Sequence, residues 1–137
     1  MAVFRPAHPL AAGELTPERF AGAAHVTVSR RGRLRDALDD TMADRGLRRR
    51  VVASLPTSAA TLALAARADV VTVVAEQLCR PTIADLALRT APLPFPMPPV
   101  PAIVAWHRRY DTEPAHAWLR GQVLDTLRAL LTPSPTA

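Results

Sequence analysis

One stretch restricts the fold more than any other: Arg48–Glu76, RRRVVASLPTSAATLALAARADVVTVVAE. Arg48–Leu55 is an apolar, β-branched run that stops at Pro56, so it reads as a strand. Thr57 or Ser58 can cap a short helix through Arg67, and Val70–Val74 makes a second buried strand. Strands joined through a helix form a parallel βαβ unit. In such a unit the strand ends and the helix N-terminus open at one sheet edge, where backbone N–H groups lack partners. Ser54, Pro56, Thr57 and Ser58 furnish that edge. They are small, uncharged groups, better suited to holding a ligand than to attacking one.

The flanking chain extends the same pattern. Met1–Pro9 reads as the tail of a strand and a turn. Leu15–Phe20 carries Thr16-Pro17-Glu18, an N-cap followed by proline at the first helical position. His25–Ser29 alternates as a strand should, Arg30–Arg35 is a charged loop around Gly32, and Asp36 can cap a helix. That helix has a buried stripe of Leu38, Met42 and Ala37 and is closed by Gly46. Glu76–Leu86 is helical in tendency, but Pro81 should break or kink it. Leu88–Leu93 reads as a strand. Pro92–Pro101 holds six prolines and reads as an extended connector. Ala102–Trp106 reads as a further strand, and Thr112 as the cap of the longest helix, with a stripe of Leu119, Val123, Leu127 and Leu130. Thr132–Ala137 is a tail. The order β-α-β-α-β-α-β-β-α points to an α/β fold, a mostly parallel sheet flanked by helices.

Composition narrows the function. A length of 137 residues suits one domain, and 49% apolar with 21% charged residues is a globular balance. All 17 basic residues are arginine, and they are scattered with few aromatics between them. The net charge of +5 therefore does not resemble a nucleic-acid stripe. A single Cys79 excludes an internal disulfide and fits a reducing compartment. No stretch has the roughly 20 apolar residues of a membrane span, and Pro6, His8, Pro9 and Glu14 interrupt any signal-peptide core. A cytoplasmic protein without a membrane partner is expected.

Catalytic motifs are missing. The five glycines stand singly, which excludes a P-loop, a G-x-G-x-x-G turn and a G-x-S-x-G elbow. His107 and His116 flank Asp111 without metal-site spacing, so no metal and no cofactor are expected. His25 would be a general base only opposite a nucleophile and otherwise reads as a strand-edge residue. Cys79 reads as a small apolar filler, Asp39-Asp40 as a solvated pair, Arg48–Arg50 as the solvated start of a strand, and Trp106 and Trp118 as core or interface anchors.

Taken in order, these pieces form a family pattern. It runs Arg-x-x-His-Pro-Leu (Arg5–Leu10), the HVTVS strand with Arg-Gly after it, and Gly-Leu-Arg-Arg-Arg-Val (Gly46–Val51). Pro56-Thr57-Ser58, Asp-Val-Val-x-x-Val-x-Glu-x-Leu (Asp69–Leu78) and Pro-Leu-Pro (Pro92–Pro94) follow. Trp-His-Arg-Arg-x-Asp-x-x-Pro-Ala-His-x-Trp-Leu-Arg (Trp106–Arg120) completes it. No single piece is a sharp motif, but over nearly the whole chain their order resembles the effector-binding (substrate-binding) domain of LysR-type transcriptional regulators. Ala75 departs from the proline often found there, and Pro81 interrupts a helix that is usually smooth.

The resemblance implies a type 2 periplasmic-binding-protein-like fold of two lobes with an effector between them. Residues of about 10–93 would be the second lobe, 94–131 a return strand and helix to the first lobe, and 132–137 a tail. The winged helix-turn-helix and most of the first lobe would lie outside this sequence. Ser29, Pro56, Thr57 and Ser58 would line the effector cleft. The implied partners are a small-molecule effector, an organic acid or similar metabolite, and a second copy of the chain. DNA would be bound only through the N-terminal domain. The implied role is sensory: effector binding controls DNA binding and transcription by the full-length regulator, and the chain is no enzyme. Two other functions share parts of the pattern. A small α/β hydrolase would use Ser54 or Ser58 as nucleophile, and a solute-binding protein for transport would share the two-lobed architecture.

Overall fold

A computed structural model describes residues 1–98 and 102–131. They divide into two units, one over Met1–Pro98 and the other from Pro99 onward. In the first unit the strands are β1 (Ala2–Phe4), β2 (Ala24–Val28), β3 (Arg50–Leu55), β4 (Val71–Val73) and β5 (Arg89–Ala91). The helices are α1 (Pro17–Gly22), α2 (Ala37–Ala43), α3 (Ser58–Ala65) and α4 (Glu76–Asp85), and a 3₁₀ turn covers Pro9–Ala11.

The strands form one sheet in the order β3-β2-β4-β1-β5. β2 pairs in parallel with both β3 and β4, whereas β1 runs antiparallel to β4 and β5. The expected α/β fold is present, with its parallel register concentrated in β3-β2-β4. The strands on either side of Pro56–Ala68 are parallel as expected but not neighbours. The β3-α3-β4 crossover spans β2, which lies between them.

Alternation along the strands sorts side chains onto two faces. On one face Ala2, Phe4 and Val71 pack with Phe20 of α1 and with Leu38 and Met42 of α2. On the other, Val3 and Val74 pack with Leu62 of α3 and Ile83 of α4, while Val26 and Val70 pack with Ala65. The sheet is therefore covered on both sides, the three-layer solution open to a sheet with two apolar faces.

Local chemistry accounts for the helix starts. Thr16 accepts from the Arg19 N–H at 3.3 Å, with Pro17 at the first helical position. Asp36 and Asp39 form a reciprocal capping box on α2. Gly46, at φ +69°, makes the left-handed turn that ends the α2 segment. Ala37, expected in the stripe, is exposed instead. α4 runs through Pro81 without a break. A proline there removes the N–H that would reach the Gln77 carbonyl. The buried Ile83, packed with Leu62 and Val74, holds the helix to the sheet across that missing bond.

The second unit contains a 3₁₀ turn (Arg108–Tyr110) and α5 (Pro114–Leu131). Ala102–Trp106 is not a strand, because no partner strand pairs with it among the described residues. α5 starts at Pro114, two residues after the expected Thr112 cap. Its apolar residues Leu119, Val123 and Leu130 are exposed, and Leu127 is half-buried. Trp118 is 66% exposed and Trp106 46%, so neither is a core anchor in this unit. Local order comes from a polar cluster: Trp106 Nε1–H donates to Asp111 at 2.8 Å and Arg120 lies over the Trp106 ring. The described part of the expected connector, up to Pro98, forms no helix or strand after β5. Pro99–Pro101 and Thr132–Ala137 lie outside the described residues.

Candidate functional site

The carboxyl ends of β2 and β3 are bound together beyond the strands themselves. Val28 is paired with Leu55, and the next residue, Ser29, donates its N–H to the Leu55 carbonyl at 2.8 Å. That bond sets Ser29 beside the segment Leu55-Pro56-Thr57-Ser58. Three of the expected site residues, Ser29, Pro56 and Thr57, thus follow directly from paired strand ends, and Ser58 opens α3. Pro56 and Thr57 are exposed, Ser29 and Ser58 half-buried.

Hydrogen bonding makes this edge rich in donors. Ser29 Oγ accepts from the N–H groups of Arg31 and Arg33 at 3.3 and 3.0 Å, so its own hydroxyl hydrogen stays free to donate. Thr57 Oγ1 accepts from the Ala60 N–H at 3.2 Å and keeps its hydrogen in the same way. The Ser58 hydroxyl has no hydrogen bond among the described residues. The N–H groups of Ser58 and Ala59 belong to the first turn of α3, which has no acceptors of its own for them. α3 also has no acidic residue in its first turn. The loop after Ser29 adds exposed Arg30, Arg31 and Arg33. Hydroxyl hydrogens, open backbone N–H groups and nearby guanidiniums suit a ligand that accepts hydrogen bonds and carries negative charge.

The α2 N-terminus, one strand away, is closed. Arg49, only 2% exposed, contacts Asp39 at 2.7 Å and Asp36 at 3.0 Å. Thr27 on β2 donates to Asp36 at 2.7 Å, and Asp36 in turn accepts from the Leu38 N–H. Burial by itself would raise the Asp39 pKa, but the Arg49 guanidinium and the Asp36 N–H hold it below the ordinary carboxylate value. Asp39 and Arg49, both expected to be solvated, are instead paired, with the Arg49 side chain buried and Asp39 half-buried; Asp40 is exposed and pairs with Arg35.

His25 also departs from expectation. β2 lies inside the sheet, so His25 is not at a strand edge and is fully buried. Its Nε2 lies 2.8 Å from the Phe20 carbonyl, to which it donates, while Nδ1 has no partner. Burial drives its pKa down to about 4, because the protonated ring would leave a second N–H without an acceptor. Among the described residues no hydroxyl or thiol hydrogen-bonds to it. The Ser54 hydroxyl is buried and unbonded, and among the described residues neither it nor Ser58 contacts a histidine. Cys79 packs against the Leu62–Ile83 cluster as a small apolar group. His107 accepts from the Arg109 N–H, and His116 stacks on Tyr110 at 4.7 Å.

At the opposite, amino-terminal ends of the parallel strands lies a cavity of about 350 Å³ between the His8–Leu10 turn, α1, Arg50 and Asp69. Sequence pattern alone does not reveal it, since its walls come from four segments with no shared spacing.

A three-layer α/β unit with a polar strand-end edge is the architecture of a small-molecule-binding lobe. The comparisons identify which one. The model of the LysR substrate binding domain matches residues 1–128. Among relatives, the HTH-type transcriptional regulator SyrM of Rhizobium meliloti is 33% identical over 122 residues, covering 88% of this chain and 37% of SyrM. The HTH-type transcriptional activator NahR of Pseudomonas putida is 30% identical, covering 88% of this chain and 40% of NahR. A probable transcriptional regulator of Pseudomonas aeruginosa superposes with TM-score 0.71 at 30% identity, over 88% of this chain and 40% of that one. The regulatory domain of MexT, a transcriptional activator in the same organism, gives 0.68 at 26% identity, over 89% and 58%. This chain belongs to the LysR substrate-binding domain family. It spans about 40% or less of the length of these two regulators. No helix among the described residues is long and apolar enough to cross a membrane.

Proposed function

We propose that this chain is the effector-sensing part of a LysR-type transcriptional regulator acting in the cytoplasm. It binds a small organic acid at the edge formed by Ser29, Pro56, Thr57 and Ser58, and has no catalytic role. The carrying observation is that the Ser29 and Thr57 oxygens at this edge already accept, which leaves their hydroxyl hydrogens to donate, in a domain matched by the family model over residues 1–128. A carboxylate answers such an edge, because each of its oxygens can accept from several N–H or O–H groups at once. Binding then controls DNA binding by a helix-turn-helix domain of the whole regulator, and residues 10–93 act as its second lobe. The exposed apolar residues of α5 support pairing with a second copy, read by light scattering as a dimeric mass at tens of micromolar.

The test is a thermal-shift titration with a panel of mono- and dicarboxylic acids. A ligand at about 100 times its Kd adds about 2.7 kcal/mol of stability, a shift easily read. At least one acid should stabilise the chain, and Ser58→Ala should weaken that acid's affinity severalfold without abolishing folding. An acid that binds equally well to Ser58→Ala and Thr57→Ala would move the site elsewhere. Failure of the whole panel would remove the organic-acid reading.

A further inference from the structure

The cavity at the amino-terminal ends of the strands stands apart from the effector edge. In a parallel sheet the two ends of the strands lie at opposite edges, and this cavity borders the starts of β2 and β3 and the residues just before β4. The register places Arg50 level with Ala24, and Asp69 stands two residues ahead of Val71, which pairs with His25. With β2 between them, Arg50 and Asp69 flank the cavity floor at about 10 Å, two strand spacings of about 4.8 Å.

The charges around this floor are unequally satisfied. Arg19 is committed to carbonyl groups: it donates to Pro9 at 2.9 Å and also to Glu14. Arg5 takes Asp69, but through one oxygen only, with Nε and Nη2 at 2.9 and 2.8 Å from Oδ1. Asp69 Oδ2 has no partner among the described residues. Neither does the exposed Arg50 guanidinium, which meets no carboxylate, carbonyl or ring there. One open cation and one open carboxylate oxygen therefore belong to residues that line a shared concavity. Between them lie apolar and small groups, Leu10, Gly22 and Ala23, and the volume of about 350 Å³ falls at the small end of ligand sites. His8 closes one wall as a buried ring whose Nδ1 already accepts from the Leu10 N–H.

We propose that this cavity is a second ligand site, for a small zwitterion of the α-amino-acid class, with the ligand carboxylate on Arg50 and its ammonium on Asp69 Oδ2. A plain anion would use Arg50 alone and leave the open oxygen of Asp69 beside its charge. A plain amine would do the reverse, beside three arginines. Only a ligand carrying both charges satisfies both groups, and an aliphatic side chain fits the apolar wall of Pro9 and Leu10. The site is independent of the effector edge and does not rest on it.

Gly22 supplies a clean probe. A Cβ there meets nothing within 4 Å, and its backbone is not in the left-handed region, so Gly22→Leu adds bulk at a residue lining the cavity without backbone strain. Arg50→Gln removes an exposed, unpaired cation and leaves the packing untouched. Binding is measured by calorimetry on the intact chain with aliphatic amino acids, using L-leucine, isocaproate and isoamylamine as a matched set. L-leucine or a close aliphatic amino acid should bind, its deaminated and decarboxylated counterparts should bind at least tenfold more weakly, and both variants should lose at least tenfold. Ser58→Ala should bind as the parent does. Equal binding of isocaproate, undiminished binding by Arg50→Gln and Gly22→Leu, or no binding by any aliphatic amino acid would each overturn the proposal.

Discussion

Helices α2 and α3 follow the neighbouring parallel strands β2 and β3, and their N-termini are finished in opposite ways. At α2 the chain supplies its own carboxylates: Asp36 and Asp39 cap the helix, and buried Arg49 and Thr27 complete them. At α3 one hydroxyl, that of Thr57, caps one N–H and the rest of the first turn stays open. Both ends carry the same partial positive charge. What differs is whether the chain supplies its own anions. A helix N-terminus saturated by its own carboxylates anchors structure, and one left with hydroxyls is available to a ligand.

The contrast breaks first, and most severely, at Arg49. Arg49→Met keeps the bulk but leaves Asp36 and Asp39 beside each other without a countercharge. Loss of one partner from a fully buried ion pair is worth about 3–5 kcal/mol; with Asp39 18% and Asp36 43% exposed, urea denaturation should show a fall at the lower end, about 3 kcal/mol. A change under about 1 kcal/mol would mean that the cluster does not anchor α2.

Acid sharpens the same comparison. His25 lies close enough to feel Arg49, Asp36 and Asp39, and its pKa falls from 6.5 to about 4 on folding. Between those values the unfolded chain holds a proton that the folded one excludes, so stability drops as pH falls through that window. The full loss is about 3 kcal/mol at about 1.4 kcal/mol per unit. Asp39, held below its ordinary value, extends the loss to lower pH. Denaturation at pH 7 and pH 5 should show the slope, and His25→Gln, which can still donate to the Phe20 carbonyl, should flatten it. A slope unchanged in that variant would place the proton elsewhere.

The smallest effect belongs to α3. Thr57→Ala should cost about 1 kcal/mol, the ordinary worth of one cap, in the same denaturation experiment. A loss several times larger would show that α3 has a second, hidden anchor and is no more open than α2.

Much of this was legible in the chain. Apolar runs with β-branched residues located β2, β3 and β4, and side chains with obvious capping chemistry, Thr16, Asp36 and Thr57, marked the helix starts. These signals are local, and so they survive without a structure. What stayed hidden was pairing between distant segments. Arg49 reads like Arg48 and Arg50 until α2 folds over it, and Asp39 reads like Asp40 until Arg49 arrives. His25 looks like an edge residue because nothing local reveals that β2 has neighbours on both sides. Ala102–Trp106 has the composition of a strand, but a strand exists only with a partner, and none of the described residues provides one. Pro81 misled for the converse reason: packing of Ile83 outweighs the missing hydrogen bond. At the candidate site, the clustering of Ser29 with Thr57 and Ser58 follows from the strand-end pattern, whereas the Arg50–Asp69 cavity depends on a strand order that no spacing encodes.

The place of β1 between β4 and β5 has a consequence for the order of assembly. Residues 2–4 hydrogen-bond to residues 72–73 on one side and 89–91 on the other, and their side chains belong to both cores. The two clusters that contain β1 residues cannot be completed until the chain has been made through β5, about 4–17 s after β1 at ordinary synthesis rates. During that interval β2, α2 and β3 can already pair locally, while Ala2, Val3 and Phe4 remain a sticky segment without a home. Closing them in last requires loops of about 70 to 90 residues, a slow, high-contact-order step. The nascent chain therefore spends its most aggregation-prone seconds waiting for its last strand, the stage at which a chaperone would have the most to hold.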